Sequence, residues 1–417
     1  MFFFKLFAIG LMSEAPKHRR MVLVSSYFPP NISGSSTVLR NLVSQLDPKA
    51  ISVVTEQHRQ APGTAQSPVP EGITLYKAAL PDWLLTKIPY IWRWERYFRF
   101  ALTHVFRKLT LRAIKEAGAE CILGIYPNWP CFIGAYQASC TAGVPLYTYH
   151  MDIPVRRSAV APFEGFFIDN FESKILRSSQ NRLIVTEGYA PDFSRRHNLD
   201  TTFIPHTLEL SERRERLAKL PTPEHKPPFR IVHTGIVVGQ KEGLLRIAQT
   251  LDKHPDLNAK LILSTPTAKE DLLKSGFDLP CVEIHSLPQE EVLKLQASAH
   301  ILTTVFPFYT KTKEGAMAGY PTKLVEYLSL NRPILIHAPD WSFVVKHARK
   351  HNYAKIVDRP DQDQLAETIR TLLQNPEEGK TIQANAHAFA ENFDIRKVTW
   401  QFVDALNLCP SIIKENS

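Results

Sequence analysis

The chain has 417 residues, about twice a comfortable single domain, with the 44% hydrophobic and 22% charged residues of a soluble globular protein. Its five cysteines, Cys121, Cys131, Cys140, Cys281 and Cys409, form no C-x-x-C pair, which excludes a disulfide framework and a cysteine zinc site and points to a reducing compartment. The formal charge of +9 suits an anionic partner, whether a phosphate-bearing substrate, an acidic membrane face or nucleic acid, and charge alone does not choose among them.

Residues 1–20 read as an N-terminal extension. Met1 to Met12 is apolar apart from Lys5, yet far below the ~20 residues of a membrane span, and it lacks a signal peptide's basic leader and cleavage site. Two readings stand side by side: a short membrane-surface anchor followed by Lys17, His18, Arg19 and Arg20, or a true start at Met12. No other segment looks transmembrane, so the body is expected in the cytoplasm.

From Met21 onward, short β-branched runs alternate with longer amphipathic stretches, the pattern of βαβ units and a parallel sheet. The first strand is expected at Met21 to Ser26, followed by a Pro-Gly-Ser loop from Tyr27 to Ser36 and a helix from Thr37 to Leu46. Further strands are expected at Ile51 to Thr55, Ile73 to Lys77, Cys121 to Ile125, Leu146 to Tyr149, Arg182 to Thr186 and Thr202 to Pro205. A long aromatic and arginine-rich helical region covers Trp83 to Ala117. Leu208 to Pro228 is charged and then Pro-rich (KLPTPEHKPP), which suits a linker between domains. The alternation then restarts at Arg230 to His233, with a helix from Leu244 and strands at Leu261 to Ser264, Val282 to His285, Ile301 to Val305, Pro333 to His337 and Ala354 to Val357.

The predicted organisation is therefore α/β: two Rossmann-like, doubly wound halves, residues 21–207 and 229–393, joined by a linker at 208–228. A final helical segment, 394–417, either stands alone or packs back on the first half. Ligands in such sheets bind at the carboxyl ends of the strands, so two facing halves place the site in the cleft between them.

Four segments fall at strand ends. The loop from Ser25 to Ser36, containing Gly34 and Ser35, leads into a helix whose backbone N–H groups can hold a phosphate or sugar oxygen, and it is not the G-x-G-x-x-G of a dinucleotide site. Tyr149-His150-Met151-Asp152 places an imidazole and a carboxylate where they can meet an acceptor or developing charge. In Thr234 to Gly243, Gly235 and Gly239 let backbone approach a diphosphate and Lys241 supplies a counter-charge. The sharpest segment is Gly319-Tyr320-Pro321-Thr322-Lys323-Leu324-Val325-Glu326-Tyr327-Leu328. There Pro321 turns the chain into a helix, Thr322, Lys323 and Leu324 sit in its first turn, and Glu326 can accept both hydroxyls of a ribose.

Taken together, YFPPNISGSST, YHMD, TGIVVGQKEG and above all YPTKLVEYLSLNRPILI resemble the GT-B glycosyltransferases of glycosyltransferase family 4, closest to their bacterial cell-surface polysaccharide branch. The resemblance runs from about Met21 to Leu406. It implies two domains facing across a cleft and a retaining, metal-independent transfer from a nucleotide-diphosphate sugar, with no further cofactor. Gly34 would then lie by the diphosphate or sugar and His150 by the sugar. Lys241, Thr322 and Leu324 would meet the diphosphate, and Glu326 the ribose. Three departures stand out: Ala318 where a glutamate is usual, with Glu314 out of register; His206-Thr207 where Asn-Gly is usual; and one cation missing or displaced in the Gln240-Lys241-Glu242-Gly243 loop.

The expected partners are a nucleotide sugar and a glycan or lipid-linked acceptor. Trp83 to Arg112 interleaves Trp83, Trp92, Trp94, Tyr97, Phe98, Phe100 and Phe106 with Lys87, Arg93, Arg96, Arg99, Arg107, Lys108 and Arg112. That pattern reads either as contact with an anionic membrane face or as a core helix whose cations reach out to solvent. No RNA-binding motif supports a nucleic-acid partner. Two rival functions share the architecture: a nucleotide-sugar epimerase, and a non-catalytic nucleotide-sugar-binding protein.

Overall fold

The computed structural model describes residues 17–31, 33–56, 67–79, 91–153, 162–237, 239–309 and 318–414. The expected N-terminal segment Met1 to Met12, Trp83, Lys87 and Glu314 lie outside these, as do the side chains of 91–99.

The first half is a seven-stranded sheet made of β1 (Met21–Ser25), β2 (Ile51–Glu56), β3 (Thr74–Ala78), β4 (Cys121–Tyr126), β5 (Leu146–His150), β6 (Arg182–Ile184) and β7 (Thr202–Phe203), in the order β3-β2-β1-β4-β5-β6-β7. Every neighbouring pair is parallel. Its central strands are unbroken apolar runs because helices cover both faces. Met21 and Leu23 of β1 point to one face, with Leu39 and Leu123, and Val22 and Val24 point to the other, with Phe106 and Phe132. The helix Ile91–Ala117 lies on that second face, with Phe106 fully buried and Lys108 and Arg112 in solvent.

The second half repeats the scheme. β8 (Phe229–Thr234), β9 (Ala259–Ser264), β10 (Val282–His285), β11 (Ile301–Val305), β12 (Ile334–His337) and β13 (Lys355–Val357) form a parallel sheet in the order β10-β9-β8-β11-β12-β13. In both sheets the order reverses beside the first strand, between β1 and β4 and between β8 and β11. A crevice for a ligand opens at the carboxyl side of such a reversal.

The segment expected to be a linker differs from expectation. Leu210–Ala218 is a helix, not loose chain. Its charges pair along one face, Glu212 with Arg216 and Glu215 with Lys219. Leu210 is buried in the core of the second half, with Leu217 packed against it. A high charge count there reflects one solvated face of an anchored helix.

The chain crosses between halves twice, side by side: Leu208 N–H donates to Phe393 O at 2.8 Å and Ile395 N–H donates to Leu208 O at 2.9 Å. The helix Ile395–Ala405 then sits on the first half, with Val398, Phe402 and Val403 packed among Leu39, Leu42 and Tyr149. Cys409 N–H donates to His18 O at 2.7 Å, and Asn181 Nδ2 to Ala405 O at 3.0 Å. No helix among the described residues is long and apolar enough to cross a membrane.

Candidate active site

The loop after β1 is tied down before it reaches the cleft. Asn31 Nδ2 donates to the carbonyls of Ser26 and Glu56, and Ser36 Oγ to Asn31 O at 2.6 Å. Ser33 caps the next helix by accepting the Ser36 N–H at 3.0 Å, so that helix begins at Gly34, three residues earlier than expected. Gly34 and Ser35 thus form its first turn. A β-carbon added to Gly34 would lie 3.7 Å from Thr322 Oγ1, so the first loop of one half meets the sharpest motif of the other.

In the second half, Gly235 follows β8 with φ +128°, a conformation that side-chain-bearing residues rarely adopt. A β-carbon there would stand 3.5 Å from Lys323 Cγ. Gly239 is open to solvent, and Lys241 starts the helix Lys241–Lys253 with its side chain exposed. Gly243 brings that helix against β11, where a β-carbon would stand only 2.8 Å from Val305 Cβ. Thr322–Leu328 is helical, entered through Pro321 as expected. The Leu324 N–H, expected to face a diphosphate, instead donates to Pro321 O at 3.0 Å, closing the tight first turn.

Glu326 is the centre of a polar network. Its Oε1 accepts Lys323 Nζ at 2.7 Å, and its Oε2 accepts Gln296 Nε2 at 2.9 Å. Gln296 is fully buried and its orientation is fixed, because Oε1 accepts Arg213 NH2 at 3.0 Å while Nε2 also donates to Thr234 Oγ1 at 3.0 Å. Arg213 donates further to Ser329 Oγ at 2.6 Å. Tyr327 OH accepts the Thr234 N–H at 2.9 Å. The carboxylate is therefore held in one place by an amide, an ammonium and, behind the amide, a guanidinium. Gln296 and Arg213 were not picked out in the sequence, since neither lies in a strand-end motif. Arg213 comes from the very helix expected to be a linker.

His206 also reaches this point. Its Nε2 lies 3.4 Å from Thr322 Oγ1. Burial lowers its pKa to about 4, against an upward pull from Glu326.

The end of β5 differs from expectation. His150 is 1% exposed, its ring faced by Tyr126, Phe132 and Phe193 at centroid distances of 5.6, 5.4 and 4.8 Å. Neither ring nitrogen has a hydrogen-bond partner among the described residues, and burial, with the nearby charges of Arg196, His197 and Arg182, lowers its pKa to about 3. In this structure the imidazole is a neutral ring in an aromatic cage, closed to a sugar. Asp152, two residues on, opens to water and accepts the Ile153 N–H at 2.8 Å. Desolvation by the surrounding protein raises its carboxyl pKa, against a downward pull from the Ile153 N–H.

Ala318 is 5% exposed and is covered by the first half. Its carbonyl accepts Thr186 Oγ1 at 3.2 Å, and a β-carbon on Gly188 would come within 2.5 Å of that carbonyl oxygen. Gly188→Ala is therefore expected to push the halves apart locally and lower stability by about 1–3 kcal/mol. A melting temperature equal to wild type would refute this contact. A cavity of about 280 Å³ opens beyond Thr186, between Phe203, Tyr320, Phe343 and His347, and none of the residues proposed from the sequence lines it. Among the described residues no three His, Cys, Asp or Glu side chains converge as metal ligands would.

Two doubly wound parallel sheets meeting at their strand carboxyl ends, with the last helix returned to the first half, are the GT-B fold. Solved structures with this fold cover nearly the whole chain. Sucrose-phosphate synthase from Thermosynechococcus elongatus is 15% identical, with a TM-score of 0.66 over 93% of this chain and 98% of that one. Anabaena HepE in complex with UDP is 14% identical, with a TM-score of 0.62 over 93% and 99%. The UDP-GlcNAc 2-epimerase of Neisseria meningitidis, bound to UDP-GlcNAc, is 12% identical, with a TM-score of 0.56 over 93% and 99%. No family model matches the chain, and no curated protein matches it.

Proposed function

We propose that this chain is a glycosyltransferase that moves a sugar, of the hexosyl type, from a nucleotide-diphosphate donor to a lipid-linked or polysaccharide acceptor. In this reading the transfer is retaining and metal-independent, and it takes place at the cytoplasmic face of the membrane in cell-surface glycan synthesis. The observation that supports it best is the meeting of Gly34 with Thr322 and of Gly235 with Lys323, one turn from a fixed Glu326.

A diphosphate set at that junction has Thr322 and Lys323 beside it, and Lys241 at the start of the helix that follows the Gly235 loop, where negative charge grows as the sugar leaves. Glu326 takes the ribose hydroxyls, and Gly34, Ser35, Gly235 and Gly239 let backbone come close. Asp152 is the β5-end group that faces the sugar. His150 joins it only if its cover moves aside. HepE and the trehalose-phosphate enzyme of E. coli, whose solved structures hold UDP, UDP-glucose or a fluorinated UDP-glucose, lend weight to a nucleotide-sugar donor. The epimerase neighbour favours one rival, an isomerase that needs no acceptor, and product analysis separates the two.

The test is a calorimetric panel of UDP, GDP, ADP and dTDP, each with and without EDTA. One nucleotide is expected to bind selectively, with the same affinity in both conditions. Failure of all four would sink the reading, and binding lost in EDTA would sink its metal independence.

A further inference from the structure

His206 lies in the first crossing segment, between β7 and the Leu210–Ala218 helix, and belongs to neither sheet. Its ring reaches a spot where three segments converge. Nε2 is 3.4 Å from Thr322 Oγ1, and that same oxygen is the atom nearest the missing β-carbon of Gly34, at 3.7 Å. The ring is half-buried, yet its Nδ1 is shielded from water and has no partner among the described residues.

The charged groups about it are few. From the Thr322–Leu328 helix, Glu326 acts on it directly, and that carboxylate is already tied to Lys323 and, through Gln296, to Arg213. The first turn of Gly34–Ser44 brings no acidic residue. With the cleft empty, burial keeps the ring neutral. Lys323 is committed to Glu326, and Lys241, exposed at the start of its helix, has no ion pair among the described residues.

We propose that His206 is a ligand of the donor's diphosphate and binds it as the imidazolium. It takes one proton from solvent as the nucleotide enters and returns it as the diphosphate departs. The proposal rests on the nucleotide-sugar reading above. A neutral ring can donate one hydrogen bond. An imidazolium donates two, so Nε2 can hold Thr322 Oγ1 and Nδ1, uncovered as the diphosphate enters, a phosphate oxygen. The anion supplies the attraction that burial withholds from the charged ring in the empty site. The fixed positive charge that the Gln240–Gly243 loop lacks is then delivered from the crossing segment, and only when a diphosphate is present.

The experiment measures protons bound per nucleotide. The full chain and His206→Asn are titrated with the nucleotide selected from UDP, GDP, ADP and dTDP, at pH 6.5, in buffers of different ionisation enthalpy. Subtracting the variant cancels protons that move on the nucleotide itself. Wild type should take up close to one proton more than the variant, and its relative affinity should rise as pH falls, by up to about tenfold per pH unit. Equal proton uptake with nucleotide still bound would overturn the proposal and leave the nucleotide reading intact. No binding by wild type would overturn both. Should the variant not fold, ¹⁵N spectra of histidine-labelled wild type decide the matter: the His206 ring must pass from the neutral to the doubly protonated pattern on nucleotide addition, and a ring that stays neutral refutes it.

Discussion

Moving from pH 7.5 to 5.5 should lower the melting temperature of the second half by roughly 10 °C. His233, His337 and His347 are 2%, 0% and 8% exposed, and burial, the first cause in each, lowers all three to about pH 4. Their rings are held by neutral acceptors, the carbonyls of Thr303 and Val357 and the hydroxyl of Tyr353, at 3.0, 3.0 and 2.9 Å. In the unfolded chain each protonates near pH 6.5. A base with a lowered folded pKa contributes its full stability above the unfolded value and loses it as pH falls toward the folded one. Each ring therefore costs about 1.4 kcal/mol at pH 5.5, or roughly 4 kcal/mol for the three. That is an upper figure, since partial hydration softens burial. Carboxylates do not mimic the effect: Asp256 and Glu283, each held down first by its hydrogen bond to Arg370 or Lys260, titrate below this window. In the first half, His150 works in the same direction and the raised Asp152 against it. A melting temperature unchanged between pH 7.5 and 5.5 would show these rings to be hydrated.

The α/β fold was legible because period and composition speak directly. The runs MVLVS, ISVVTE and CILGIY are too short for helices and too apolar for half-exposed strands, and each became a buried parallel strand. Strand ends are less legible than strand existence: β7 stops at Phe203, two residues before Pro205, which has no N–H for a ladder, and the first helix starts at Gly34 because Ser33 caps it. Much of the site could not be read at all. Gln296 is one polar residue in an amphipathic helix, and only the fold reveals that it is buried with Glu326 on one side and Arg213 on the other. The charge pattern from Glu212 to Lys219 reads the same whether the segment is free or anchored, and what decides it is Leu210 finding a hydrophobic partner far along the chain. Conversely, His150 at a strand end looked poised for chemistry. Sequence cannot tell that β5 turns this residue toward Phe132 and Phe193, because alternation fixes which residues share a face but not what covers it.

Replacing Glu326 by alanine should weaken binding of the selected nucleotide by about 2–3 kcal/mol, roughly 30- to 150-fold, because two charge-assisted hydrogen bonds to a ribose are lost. Both carboxylate oxygens already carry a protein donor, Lys323 on one and Gln296 on the other, but each keeps a lone pair for a sugar hydroxyl. The same substitution has a second consequence of opposite sign. It frees Lys323, which lies beside Gly235 at the proposed diphosphate position, from its ion pair. Inorganic pyrophosphate, which has no ribose, should then bind the variant as tightly as wild type or more tightly. Glu326→Gln should fall between for the nucleotide, since the amide keeps the shape but loses the charge. The two probes thus separate the explanations. Nucleotide affinity unchanged in a folded variant would remove Glu326 from the ribose site. Equal losses for nucleotide and pyrophosphate would instead mean that the Arg213–Gln296–Glu326 network had collapsed and carried the cleft with it. Only a loss confined to the nucleotide assigns the carboxylate to the sugar of the donor's nucleoside.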